Sequence, residues 1–108
     1  MQLEWIYLIT AGFLEISWAV SLKYTAGFTV LLPSLFTAAA MLGSVYLLDL
    51  ATKEIPIGTA YAVWTGIGAA GTAVAGIILF GESHELWRFF CIFLIIAGVV
   101  GLKINIGG

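Results

Sequence analysis

LEWIYLITAGFLEISWAVSL, running from Leu3 to Leu22, is mostly apolar and carries no charge except Glu4 at one margin and Glu15 in its interior. A helix of about 20 such residues crosses a hydrocarbon core about 30 Å thick. Lys23 closes the run. At about 1.5 Å per residue, Glu15 lies roughly 12 Å from Lys23 and roughly 16 Å from Glu4 along the axis, at mid-membrane depth. The first charge is Glu4 rather than a lysine or arginine, and the apolar stretch continues long before a positive residue. The run is therefore expected to stay in the mature chain and not to be cleaved as a signal.

Three further runs follow at short intervals: about Leu31 to Leu50, about Ile57 to Phe80 and about Leu86 to Leu102. Each is close to a membrane-crossing length. Pro33 falls in the first turn of the second run, where a missing N–H costs little. Loops this short make consecutive helices antiparallel neighbours. No alternation of period two recurs at the ~10-residue spacing of a membrane barrel. Of 108 residues, 62% are hydrophobic and 9% charged, against about 25% charged in a soluble domain. So few charges cannot cover a water-facing surface. The expected fold is an all-α membrane protein with four transmembrane helices, a single domain over residues 1–108 without a linker or low-complexity segment. Trp5, Tyr7, Tyr24, Phe80 and Trp87 lie near span ends, where an aromatic belt sits.

Several function classes fall away. The net charge is −2 with no basic cluster, which argues against a nucleic-acid partner. Cys91 is the one cysteine, so neither an intramolecular disulfide nor a cysteine metal cage can form. It reads as a small buried hydrophobe. Gly81-Glu82-Ser83-His84-Glu85 holds the one histidine and reads as a solvated turn more than as a metal site. No Walker sequence is present, so ATP is not the energy source. No nucleophile–base pair is visible, and no enzyme, metal or cofactor is expected.

Charge position carries the orientation argument. The charges other than Glu15 fall at or beyond span ends, where they stay hydrated or snorkel. Lys23 and Arg88 fall on one side of the membrane, and Lys53 and Lys103 on the other. Cytoplasmic loops usually carry the excess of Lys and Arg, and this even split gives no bias. The chain is expected to insert both ways up. Four helices are also too few to enclose much of a polar pathway. Together these points favour an antiparallel homodimer over one fixed orientation.

Glu15 carries the chemistry. An ionised carboxylate at this depth costs about 2.5–3.5 kcal/mol or more. It persists if it faces a cavity, gains a cation or holds a proton, and such a group can exchange a proton for a cationic substrate. The alternative is a protonated structural carboxyl bonded across a helix interface. Ala11, Gly12, Glu15, Trp18 and Ala19 share one helical stripe, in which Trp18 offers a π face for a cation or plain packing. On the second run Thr37, Met41, Ser44 and Leu48 share a face. Ser44 can bond Glu15 or its own helix carbonyl. On the third, Tyr61, Trp64, Thr65, Gly68 and Thr72 form a second polar stripe. Gly66, Gly68, Gly71 and Gly76 there read as a packing seam or as a hinge for alternating access. The fourth run is bulky apart from Gly98 and Gly101 and reads as an assembly helix.

Ala11-Gly12-Phe13-Leu14-Glu15-Ile16-Ser17-Trp18-Ala19, Leu22-Lys23-Tyr24, Ala51-Thr52-Lys53, the long stretch from Ile55-Pro56-Ile57-Gly58 to Tyr61-Ala62-Val63-Trp64-Thr65-Gly66-Ile67-Gly68, and the closing Gly98-Val99-Val100-Gly101-Leu102-Lys103 together resemble the small multidrug resistance family of proton-coupled exporters, over essentially the whole chain. Trp64-Thr65-Gly66 resembles its guanidinium-exporter subtype. The resemblance implies an antiparallel dual-topology dimer in a bacterial inner membrane. In it, Glu15 of both subunits takes protons or substrate in competition. Gly12, Trp18, Met41, Ser44, Tyr61 and Trp64 would line the site. Gly66 and Gly68 would match the hinge, and Leu94, Gly98 and Gly101 the dimer contact. The substrate would be a guanidinium-type cation, or in a broader reading a hydrophobic quaternary ammonium ion. A non-transporting membrane subunit is the alternative outside transport.

The even charge split makes orientation easy to bias. Lys103→Ala leaves two positive charges against one, which favours placing the Lys23–Arg88 face in the cytoplasm. A phosphatase reporter fused after the last helix is then expected to gain periplasmic activity at the expense of the cytoplasmic form. No change would mean that the lysine tally does not govern insertion.

Overall fold

The computed structural model describes residues 2–107, with side chains over 3–104. Four long helices account for almost all of it: α1 (Gln2–Ser21), α2 (Leu31–Ala51), α3 (Ile57–Phe80) and α4 (Leu86–Gly107). All four are long and apolar enough to cross a membrane. The chain is an all-helical, multi-pass membrane protein. Its spans agree with the apolar runs to within a residue or two, except that α4 continues beyond Leu102 to Gly107.

Each turn is closed locally. After α1, a 3₁₀ turn covers Leu22–Tyr24, and the Thr25 hydroxyl donates to the Leu22 carbonyl at 3.0 Å. Ala26, Gly27 and Phe28 then all have positive φ. Ala26 and Phe28 carry a steric cost that glycine would avoid, about 1–2 kcal/mol each. The Thr25 carbonyl offsets part of it by accepting from the Thr29 and Val30 amides at 2.9 and 3.1 Å. At the far end of α3, Gly81 takes the left-handed conformation and returns its amide to the Gly76 carbonyl, a glycine C-cap.

The arrangement departs from a simple sequential bundle. α1 packs most extensively, against α2 on one side and α3 on the other, whereas α2 and α3 meet lightly and α4 lies against α3. α2 and α3 are thus not the close neighbours that their short connection suggested. The cause is residue size. Lipid tails are as apolar as leucine, so helices associate through close packing and not through hydrophobic burial. The glycines supply the close approaches. A Cβ at Gly12 would stand 2.7 Å from Ile67 Cγ2; Gly71 likewise receives Ile16, and Gly66 receives Val99 of α4. α1 and α3 each give up volume to the other, and α1 becomes the centre.

Burial is uneven along the membrane normal. Trp5, Leu8, Ala11, Leu48, Ala51, Ile55, Ala60 and Val63 form one tight cluster, drawn from the start of α1, the end of α2, the following loop and the start of α3. Trp5 is 5% exposed, so it is a core residue and not a member of an aromatic belt. At the same face Lys103 sets its ammonium 5.0 Å from the Trp5 ring centre. At the opposite face Lys23 lies 5.3 Å from the Phe80 ring centre. The two faces therefore carry the lysines that the sequence assigned to them. The whole is a slab with Cα extents of 44 × 34 × 17 Å, between one and two helix diameters thick.

These approaches have a measurable consequence. Gly12→Ala must push Ile67 aside, and overpacking of this kind costs about 1–3 kcal/mol. It is expected to lower unfolding stability in detergent, whereas Gly58→Ala, with nothing within 4 Å, should hold or raise it. Equal effects at the two positions would contradict the packing described.

Candidate functional site

Glu15 sits on the α1 face that meets α3, half-buried, four residues past Ala11. Its carboxyl lies directly over Gly68. A Cβ at that position would collide with Oε1, Cδ and Cγ of Glu15. Gly68 is therefore the seat of the carboxylate. Oε1 is buried without a hydrogen-bond partner among the described residues, as are Trp18 Nε1, one turn further along α1, and Thr72 Oγ1, one turn further along α3. Unpaired polar atoms in apolar surroundings are costly and mark a place where a ligand, an ion or water completes the bonding.

One turn before Glu15 the three inner helices are tied together. Trp64 of α3 donates its indole N–H to Ser44 Oγ of α2 at 2.9 Å. Ser44 in turn donates to the Ala11 carbonyl of α1 at 2.7 Å. Ser44 is fully buried. It bonds neither Glu15 nor its own helix, the two roles its sequence position suggested. The tie closes the tightly packed end of the bundle immediately below Glu15. Tyr61 stacks obliquely on Trp64, with ring centres 5.6 Å apart and planes at 56°. It is 55% exposed, on the outer face of the protomer.

The other anticipated residues divide. Gly12 is buried against Ile67, and Met41 is half-buried on α2. α3 runs without a break through Gly66 and Gly68, where each glycine admits a neighbouring side chain. Nothing lies within 4 Å of a Cβ at Gly98 or Gly101, and Leu94 is 51% exposed, so this stripe of α4 is uncovered in the protomer.

Beyond Glu15 the bundle opens. A groove of about 400 Å³ is lined by Ala19, Thr72, Gly76, Lys23, Glu82 and Arg88, among others. It begins one helical turn past Glu15 and Gly68 and leads to the membrane face that carries Lys23. At its mouth Arg88 Nη2 donates to Glu82 Oε1 at 2.8 Å. From sequence, both charges are expected only to stay hydrated or snorkel beyond span ends. No helical spacing links a loop residue to the next helix's first turn, and the contact arises because the Gly81 cap folds Glu82 back over Gly76.

The family model for the Small Multidrug Resistance protein matches residues 3–95. The chain belongs to the Small Multidrug Resistance family. It is 56% identical over 102 residues to a protein of Yersinia pseudotuberculosis named guanidinium exporter, covering 94% of this chain and 98% of that one. Proteins of the same name from Proteus vulgaris and Citrobacter freundii are 55% and 53% identical, again over 98% of their lengths. Membership in this family accounts for the four spans and the short loops.

Ser44 is the member of the tie most open to test. Ser44→Ala leaves the Trp64 indole N–H buried and unpaired, at a cost of about 1–3 kcal/mol. A large shift of the Trp64 indole N–H resonance and lower stability in detergent are expected. An unmoved resonance would show that the bond is not made.

Proposed function

We propose that this chain is a proton-coupled antiporter that exports guanidinium-type cations across a bacterial inner membrane, working as an antiparallel dual-topology homodimer of single four-helix domains. It is a secondary transporter and not an enzyme. The observation that carries this reading is a mid-span carboxylate seated on a bare glycine, with an oxygen that has no hydrogen-bond partner among the described residues. The names of the relatives supply the substrate.

Guanidinium suits such a site. It is planar, and a carboxylate accepts two parallel N–H bonds from it. It stays charged at any relevant pH, so competition with the proton acts through Glu15. Trp18, Tyr61 and Trp64 present flat aromatic faces to a flat cation, while Gly12, Met41 and Ser44 shape the remaining wall. A slab 17 Å thick cannot surround a cation on all sides, which supports a second copy. The uncovered stripe of Leu94, Gly98 and Gly101 is the contact proposed for it, since small residues let helices approach. Antiparallel copies would place one protomer's tight end beside the other's open end. Gly66 and Gly68 would absorb the bend of α3 as the two ends exchange roles. Each ligand then favours one access state, and mutual exclusion at Glu15 couples the flows.

Proteoliposomes with an outward-acting pH gradient test this directly. Guanidinium counter-transport is expected for the unaltered protein and is abolished by Glu15→Gln. Protons compete with substrate, so the KM for guanidinium should rise as pH falls, approaching tenfold per pH unit once Glu15 is mostly protonated. Transport that survives Glu15→Gln, or a KM independent of pH, would defeat the reading. Uptake of a tetraalkylammonium ion in preference to guanidinium would favour the broader exporter.

A further inference from the structure

We propose that Glu82 is a second, peripheral guanidinium-binding carboxylate at the mouth of the groove that leads toward Glu15, and that Arg88 occupies it until a substrate cation displaces its side chain. The proposal rests on the function above for its ligand.

The mouth already holds a guanidinium on a carboxylate, supplied by the chain itself. Arg88 Nη2 meets Glu82 Oε1 at 2.8 Å. Among the described residues that is the one hydrogen bond recorded between the two side chains, and Arg88 Nε is buried without a partner. The pair is thus held at one point and not by the two parallel bonds that a guanidinium and a carboxylate can make. The side chains are 32% and 44% exposed, where water competes and an ion pair holds weakly. Glu82 itself is well positioned. Its carboxyl packs over Gly76, where a Cβ would strike it, and its amide is fixed by the Gly76 carbonyl at 3.2 Å. The amide of Glu82 is held by the backbone and its carboxyl lies over Gly76, whereas Arg88 reaches it from α4 on a long side chain. A free guanidinium can reach both oxygens without an attached chain dictating the angle.

The groove supplies the path. Its lining passes from Glu82 and Arg88 past Gly76 and Thr72 to Ala69 and Ala19, one turn from Glu15. Lys23 and Arg88 balance Glu82 and Glu85 at this face, so long-range attraction does not recruit the cation. Lys23 also lies over the Phe80 ring, away from the ion pair. Recognition here is short-range and depends on the N–H fork. Arg88 therefore acts as a competitor for Glu82, which gives the two residues opposite effects.

Arg88 is the chain's one arginine, so its Nε–H signal needs no assignment. In protein carrying Glu15→Gln, which removes the deep site, guanidinium chloride is expected to shift that signal saturably. Sodium chloride at equal ionic strength should not, and adding Glu82→Gln should abolish the response. A shift reproduced by sodium chloride, or one that persists without Glu82, overturns the proposal whether or not the protein transports guanidinium. In transport, Glu82→Gln is expected to raise the KM for guanidinium and Arg88→Gln to lower it, each by roughly three- to tenfold, with kcat little changed. A pair that merely ties α4 to the end of α3 would make both substitutions shift KM in the same direction, and that result too overturns it. Glu82→Asp, which keeps the charge, should recover most of the loss.

Discussion

A carboxylate held inside a slab of helices less than two helix diameters thick is the constraint on which the rest of this molecule depends. Lipid cannot solvate the ionised group, and among the described residues no hydrogen-bond donor meets Oε1. Room for it exists because position 68 has no side chain. That choice propagates. α3 must run close to α1, which requires Gly71 beneath Ile16 and Gly12 beneath Ile67. Close contact between α1 and α3 leaves α2 packed mainly on α1, with a light contact to α3. The order of helices in space follows from where the glutamate has to sit.

The bundle is correspondingly asymmetric. Below Glu15, small and branched residues of three helices interlock, and Trp64, Ser44 and the Ala11 carbonyl form a bonded strap across them. Above it, alanines, glycine and threonine leave a groove open to the membrane face. Helix ends there are held by aromatic and ionic contacts, Tyr24 on Phe80 at 5.9 Å and Arg88 on Glu82. Such surface contacts are individually weak, whereas a packed core yields only as a unit. In the exchange proposed here, the acidic site stands at the boundary between a half that resists opening and a half that does not.

Seen this way, α3 and α4 contribute differently. α3 presents a glycine to each neighbour it meets: Gly68 to Glu15, Gly71 to Ile16, Gly66 to Val99 and Gly76 to Glu82. The same residues that permit close packing also lower the cost of bending, because glycine carries no Cβ to stabilise one backbone state. α4 has one buried residue among the described positions of its interior, Ile92 at 7% exposure, packs Val99 and Leu102 on the core, and offers most of its remaining apolar surface outward. A helix of this kind is satisfied by lipid or by another copy alike, so its small-residue stripe, and not its hydrophobicity, is what a partner would recognise.

Much of this was legible in the residues alone. Lipid solvates side chains one at a time, so span number, approximate limits, the two-against-two split of lysine and arginine and the stranded Glu15 follow from composition and position without knowledge of any contact. The resemblance to a known family was carried by linear motifs for the same reason. What escaped was pairing between segments. Ser44 serves the Trp64 indole and an α1 carbonyl, Trp5 belongs to the core, α2 and α3 each pack mainly on α1 and only lightly on one another, and Glu82 turns back onto Arg88. Each depends on which side chain is small enough, at one crossing point, to let another helix in. That is a property of two surfaces meeting in space, and no single helix's periodicity contains it.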